Sequence, residues 1–552
     1  MPTDTATAVV ETLAAHGVDL VYCVPGESFL PITDALSDHR QIELIVCRHE
    51  GGAALMAAAH ARARGAPGVC MVSRGPGAMN AAIGLHVAHH DAEPVVFLIG
   101  QAPTHRLGRM ALQEMNYAKT FSDTAKLVIE VYRAEQVSES LARAFHVARA
   151  GTPGPVVVVL PEDVLYATAE VPLAAPRPLA QPAMSAADTQ AVLGMVEQAE
   201  RPVVIAGGRV RTKRSLADLT AFAQRFRIPV VTAHRRLHTF DSRHPLAGGR
   251  LSNRAPAPLM ELLRRSDLLI VLGERLGPSV SQGYTFPRAP KADQAMIHVW
   301  PDAAELGRVW QADLAIACDP DAFLQPLLAS TPTPAGDARE SWIRSLHERH
   351  RTLMTWQEAS ADDGVVFGRV TRAIDGHLKS DAAVTYDAGN FTSWVNRFIN
   401  LSQDNMSIGA TVGAMGAGVP SGVAAGLAAR GRQVVVFVGD GGVMMTGNEL
   451  ATAIQYGIPL KIFIANNAAF GTIRMHQAKS FPGRVTPSTT LTNPDFARWG
   501  QAFGALGLRI ENDSDVEKTV AQAMAYDGAV VVDVRTSLEY IAATARLQDL
   551  EG

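Results

Sequence analysis

The chain has 552 residues, a formal net charge of -4, and 47% hydrophobic against 19% charged residues. That length suits about three domains of roughly 150 residues with large cores, and the charge gives no reason to expect nucleic acid or an anionic membrane as partner. Cys23, Cys47, Cys70 and Cys318 lie far apart with no CxxC pair, which argues against a disulfide framework or a zinc site and fits a reducing cytoplasm.

Residues 1–18 read as an amphipathic helix without the basic start and apolar middle of a signal peptide. No apolar run in the chain is long enough to span a bilayer. Strands and helices then alternate to about residue 170. Strand 19–24 meets Pro25-Gly26-Glu27, which turns into a helix through Leu36. Strand 42–46 leads to Arg48-His49-Glu50 and an Ala-rich helix, 51–64. Strand 68–72 is followed by Ser73-Arg74-Gly75-Pro76-Gly77, and strands 94–99 and 155–160 complete the unit. His89-His90-Asp91 falls on a helix and reads as packing and hydrogen bonding, not as a metal site. Residues 171–187, rich in Pro and Ala, read as a linker.

A second α/β unit spans 188–330, with strands at Pro202–Ala206, 228–232, Leu268–Leu272 and Ala295–Trp300. Residues 331–337 (TPTPAGD) are the next linker. The third unit, 340–552, has a strand at Ala383–Tyr386 and a Gly-rich stretch at 411–426. The fold class is therefore α/β, with three doubly wound parallel-sheet domains at 1–170, 188–330 and 340–552. The first and third look alike in plan.

The third unit contains the most informative stretch, 434–467. A β-branched strand, 434–438, runs into Gly439-Asp440-Gly441-Gly442. A helix at 446–456 follows, then strand 460–465 and Asn466-Asn467. In a parallel sheet both strand tips lie on one carboxyl edge, where α/β proteins bind ligands. Glycines let the backbone approach a phosphate. A carboxylate with an amide oxygen suits Mg²⁺, which also takes phosphate oxygens. The unit reads as a holder for a Mg-diphosphate.

GDG followed by NN at this distance resembles the thiamin diphosphate signature, and the resemblance extends over nearly the whole chain. It is closest in kind to the acetolactate synthase-like branch of the thiamin diphosphate enzymes. The resemblance implies pyrimidine-binding, middle and diphosphate-binding domains, in that order. It implies Asp440, Asn467 and the Ala469 carbonyl as Mg²⁺ ligands. Gly439, Gly441, Gly442, Gly389, Asn390 and Phe391 would face the diphosphate, although relatives often have Gln-His in place of Asn390-Phe391. Pro25, Phe470, Gly471 and Thr472 would also border the cofactor. Gly413-Ala414-Met415-Gly416 is similar to the segment that clamps the aminopyrimidine, with Gly413 and Met415 main chain bonding the ring and the Met415 side chain as the wedge. Glu50 matches the catalytic Glu: a carboxyl on the pyrimidine nitrogen favours the imino tautomer, which removes the thiazolium C2 proton. A Glu at a helix start is also favourable for the dipole alone.

The substrate end is more open. Gln113 could bond an intermediate or be a loop amide; Gln113-Glu114 matches the pair seen in acetolactate synthases. Glu27, where synthases usually have Gly, is either a second acid/base or a helix N-terminal charge. Thr472 and His476 stand where synthases have Met and Trp, which puts acceptor preference in doubt, and His476 reads as catalytic or merely solvated. In the middle unit, Gly207-Gly208 and Gly273-Glu274-Arg275 resemble part of a nucleotide site. Trp300, however, stands where an acid usually accepts from the ribose, so FAD is left open but not expected.

The expected activity is decarboxylation and carboligation of a 2-oxo acid, with acetolactate formation as its leading version. The alternatives are a simple 2-oxo acid decarboxylase, a 2-hydroxyacyl-CoA lyase and, more distantly, a non-catalytic homologue. In the family the cofactor lies between two subunits, so the expected assembly is at least a homodimer and commonly a homotetramer.

Overall fold

A computed structural model describes residues 3–331, 336–484 and 486–551. Most of the expected linker 331–337 lies outside the described residues. Among the described residues, three six-stranded sheets, each wholly parallel, carry the fold, and Thr3–Asp4 pairs antiparallel with Thr168–Ala169. Helices cover both faces of each, as buried parallel strands require.

The first sheet runs Glu43–Val46, Leu20–Cys23, Gly68–Ser73, Val95–Gln101, Pro155–Pro161, Leu127–Glu130. The third runs Met406–Ile408, Ala383–Tyr386, Val434–Gly439, Leu460–Asn466, Val530–Arg535, Leu506–Ile510. Numbered within each unit, both have the order 2-1-3-4-6-5, so the expected likeness in plan holds. The middle sheet differs. It runs Ala247–Arg250, Val230–Thr232, Pro202–Ala206, Leu268–Leu272, Ala295–Trp300, Leu314–Ala317, the order 3-2-1-4-5-6 of doubly wound nucleotide-binding sheets.

The first and third units share one apolar core. Helix Glu50–Arg64 is the seam, packing on Arg74–Asp91 within its own unit and on Gly418–Ala428 from the third. Alanines and glycines make the close approach feasible: a Cβ on Gly84 would lie 2.3 Å from the Ala54 Cβ. No helix among the described residues is long and apolar enough to cross a membrane.

Two local expectations need correcting. The helix expected at 446–456 begins at Asp440 instead, runs Asp440–Thr446, tightens through Gly447–Glu449 and resumes at Leu450–Gln455. After the strand, which closes at Ser73, the helix starts at Arg74 and continues to Asp91, with Pro76 in its first turn, where a missing N–H costs nothing. Glu50 is the first residue of its helix rather than the residue before it, with His49 as cap.

Candidate active site

Strand Val434–Gly439 ends at Asp440, and its parallel neighbour Leu460–Asn466 ends at Asn467, with Gly439 paired to Ala465. A cavity of about 590 Å³ opens at these tips. It collects most of the predicted cofactor residues: Gly389, Asn390, Phe391, Gly413, Met415, Gly439, Asp440, Gly441, Gly442, Asn467, Ala469, Phe470, Gly471 and Thr472, with His476 at the rim.

Asp440 is 3% exposed. Asn493 donates to its Oδ2 at 2.8 Å and the Gly441 N–H to its Oδ1 at 2.9 Å. Both donors are neutral, and among the described residues no cation pairs with it. Burial pushes its pKa up in spite of these bonds. A buried carboxylate without a counter-charge is costly, and a divalent cation is the group that would relieve it. Asn467 stands opposite, its Oδ1 accepting the Ala469 N–H at 3.2 Å. The Ala469 carbonyl accepts from the Gly471 N–H at 2.8 Å, which leaves it one lone pair for a metal.

Asn493 was not foreseen. It bonds Asp440 and, at 3.0 Å, the Oδ1 of Asn466, whose amide in turn donates to Asp533 at 2.8 Å. Asn466 therefore orients Asp440 rather than facing the cavity itself. The only sequence signal for Asn493 is its place in an Asn-Pro turn.

Several glycines have a packing reason beside the expected one. A Cβ on Gly442 would lie 2.1 Å from the Asp387 Oδ2, and one on Gly441 would lie 2.7 Å from the Phe470 ring. Gly389 has φ +152°, and the Phe391 ring lies 2.5 Å from its Cβ position. Phe391 thus forms part of the cavity floor, packed against Gly389 and Gly439 and perpendicular to the Phe367 ring. Asn390 ties the floor to helix Gly471–Ser480: its amide donates to the Gly471 carbonyl at 3.3 Å, and the Thr472 hydroxyl donates to its Oδ1 at 3.1 Å.

At the rim, partial burial, then Arg254 and Lys479, push the pKa of His476 down. Arg254 also lines the cavity, and its Nη1 lies 2.8 Å from the Met475 sulfur.

Pro25, Glu27, Glu50 and Gln113 do not line this cavity. Three of them gather at the start of helix Arg74–Asp91. Asn80 donates to the Glu50 Oε2 at 3.0 Å, and Arg74 donates to Glu27 and to Glu162, each at 2.8 Å. The Gly75 N–H donates to the Gln113 carbonyl at 3.0 Å. Glu114 closes its own loop, accepting from the Gly108 and Ala111 N–H groups. Glu50 is located by the third unit of the same chain: buried Glu449 accepts the Arg48 and His49 N–H groups at 3.1 and 3.0 Å. Within one chain, then, the group around Glu50 lies outside the cavity.

Three family models for thiamine pyrophosphate enzymes match the chain. The N-terminal TPP binding domain covers residues 3–127, the central domain 189–327, and the C-terminal TPP binding domain 387–534. The chain belongs to the thiamine pyrophosphate enzyme family. Among curated relatives of this family, the acetolactate synthase isozyme 1 large subunit of Escherichia coli (strain K12) is 30% identical over 537 residues, spanning 97% of this chain and 94% of the relative. The probable acetolactate synthase large subunit of Methanocaldococcus jannaschii is 29% identical, spanning 96% and 91%. The acetolactate synthase large subunit of Lactococcus lactis is 29% identical, spanning 93% and 89%.

The residues of this family member fit its cofactor. The cation-free carboxylate of Asp440 and the oxygens of Asn467 and Ala469 form an all-oxygen donor set of the kind Mg²⁺ takes. Met415 and Phe470 supply apolar wall for rings.

The middle unit is built differently at the corresponding edge. A Cβ on Gly207 would lie 2.3 Å from the Gly273 carbonyl, and one on Gly208 would lie 2.6 Å from the Arg236 Nε. Trp300 donates to the Thr152 hydroxyl at 2.8 Å, and the Arg275 guanidinium lies 5.6 Å from its ring centroid.

Proposed function

We propose that this family member is a thiamin diphosphate- and Mg²⁺-dependent carboligase that joins two 2-oxo acids with loss of CO₂, as an acetolactate synthase does. The observation that carries this is the buried, cation-free Asp440 facing Asn467 across two strand tips. The names of the relatives favour synthesis over the simple decarboxylase and the 2-hydroxyacyl-CoA lyase.

Asp440, Asn467 and the Ala469 carbonyl would hold the metal, with Gly389, Asn390 and the start of helix Gly471–Ser480 facing the diphosphate. Met415 would stand between the two rings. When bound, the cofactor supplies a nucleophilic carbon that attacks the 2-oxo group. Glu50 would hold and return a proton at the pyrimidine nitrogen, and the half-exposed carboxyl beside Asn80 is free to do so. Gln113 would orient substrate. Glu27, ion-paired with Arg74, would keep a negative charge near the same helix start.

The group around Glu50 and the cavity would be two half-sites, each completed by a second copy, with Glu50 of one subunit serving the cavity of another. Met79 and Ile83 near Glu50, and Met444 and Met445 beside the cavity, are exposed apolar side chains, as an unpartnered interface requires. The assembly is at least a homodimer. The proposed domain boundaries are 1–170, 188–330 and 340–552. FAD has no part in this reading: Arg236 closes on Gly208, and Trp300 offers a ribose only a donor. The four buried free thiols support a reducing, cytoplasmic setting.

The test is incubation with pyruvate, with and without Mg²⁺ and thiamin diphosphate, the products read by NMR. Acetolactate formed only with both cofactors supports the reading. Acetaldehyde alone would replace it with decarboxylation.

A further inference from the structure

The turn that carries Met415 is held at both ends by carboxylates from outside it. At one end Asp91, at the close of helix Arg74–Asp91, accepts the Thr411 N–H at 2.9 Å and the Thr411 hydroxyl. At the other end Asp387 accepts the Gly416 N–H at 2.9 Å and the Ala417 N–H at 3.3 Å. Between them the backbone turns through Gly413 and Gly416, with φ of +78° and +84°, a path that favours glycine and offers little rigidity of its own.

Two consecutive arginines of the middle unit back these carboxylates. They follow strand Val230–Thr232 and are buried, at 4% and 3% exposure. The Arg235 Nη2 donates to the Asp387 carbonyl at 3.1 Å, and its guanidinium lies 5.4 Å from the Tyr386 ring centroid. The Arg236 Nη2 lies 4.0 Å from the Asp91 Oδ2, with both side chains nearly buried. Asp91 belongs to the first unit, the arginines to the second and the turn to the third.

We propose that Arg235 and Arg236 are positioning residues, through which the middle unit sets where the turn 411–417, and hence Met415, stands at the cavity wall. Asp91 and Asp387 are the two straps and the arginine pair is their common anchor. The inference rests on the cofactor reading only for its catalytic consequence; the mechanical part stands on the apo chain.

Hydrogen exchange of the full-length, cofactor-free protein tests it, with Arg236→Met and Asp91→Asn compared with wild type. Peptides covering 411–417 should exchange about tenfold faster in each variant, while strand Val434–Gly439 keeps its protection. Arg236→Lys should restore most of the protection. The double variant should exceed neither single one by much, since both cut the same strap. In the loaded enzyme, kcat should fall with the KM for the 2-oxo acid unchanged. Unchanged exchange at 411–417 in both folded variants overturns the strap, whatever the activity. Faster exchange with full activity keeps the strap and instead overturns the placement of the cofactor rings on this turn. If Arg236→Met fails to fold, Asp91→Asn and Arg236→Lys decide alone, through loss of protection in the first and its retention in the second.

Discussion

Asp440 and Glu50 are carboxylates in opposite circumstances, and their variants should behave accordingly. Asp440 is buried and wants a cation, so Asp440→Asn removes the reason for metal binding. Calorimetric titration with Mg²⁺ and thiamin diphosphate should then show no saturable heat, against clear binding in the wild type. Asn493 orients that carboxylate from behind. Asn493→Ala should weaken the same binding by roughly 10- to 100-fold, the usual cost of losing a partner behind a metal ligand. Glu50, by contrast, has Asn80 as its one side-chain bond among the described residues. Glu50→Gln should keep its melting temperature and lose about 10²–10⁴ in turnover, the range for a positioned acid/base. Equal losses of stability and activity would argue that Glu50 is structural. Asp440 and Asn467 stand out in the sequence because each follows a recognisable strand, and Glu50 because it matches the family's acid. Asn493 and Asp387 do not, because their importance lies in what they touch across 53 and 30 residues.

The same limit shows in the elements. Inner strands such as Val434–Gly439, Leu460–Asn466 and Pro155–Pro161 are runs of β-branched and apolar residues buried on both faces, and they stand out in the sequence. Five of the strands that escape a sequence reading lie at sheet edges: Leu127–Glu130, Ala247–Arg250, Leu314–Ala317, Met406–Ile408 and Leu506–Ile510. Edge strands are short, and several of these are half-exposed, so their composition is mixed. Only the inner strand Val530–Arg535 has a plain β-branched run without having been expected. Helix glycines give a matched test of packing at this scale. Gly84→Ala drives a methyl into Ala54 at the seam between the first and third units, and should cost about 1–3 kcal/mol. Gly194, on the exposed side of helix Ala186–Gln198, has nothing within 4 Å of its Cβ position. Gly194→Ala should stabilise by about 0.5–1 kcal/mol. Chemical denaturation of the two variants reads both signs.

Across the whole molecule, buried histidines set the acid limit. Burial drives the pKa of His60 down to about 4 and those of His238 and His350 to about 3; His234 and His298 are lowered as well. Each binds its proton less well folded than unfolded. Their contribution is therefore complete above the unfolded value of 6.5 and is lost as pH falls. Buried carboxylates act in the opposite sense: burial raises Asp387 to about 6 and also raises Glu274, Asp321, Asp375, Asp440, Glu449 and Asp533, so their contribution is lost as pH rises through the folded values. Between pH 6.5 and about 5 the five imidazoles pass through their unfolded titration range, whereas of the buried carboxylates only Asp387 is raised as far as about 6, so the imidazoles outweigh the carboxylates there. The melting temperature should fall across that interval, at roughly 1.4 kcal/mol per pH unit for each net proton taken up. A flat profile would mean that these histidines are solvated.

If neither half-site works alone, subunit mixing should restore activity. Glu50→Gln and Asp440→Asn homomers should each be inactive in cofactor-dependent CO₂ release from pyruvate. Dissociated and reassembled together, they should recover about a quarter of wild-type activity, because half of the dimers are mixed and each mixed dimer regains one of its two sites. No recovery in reassembled mixed dimers would contradict the account and place Glu50 and Asp440 in a site contained within one chain.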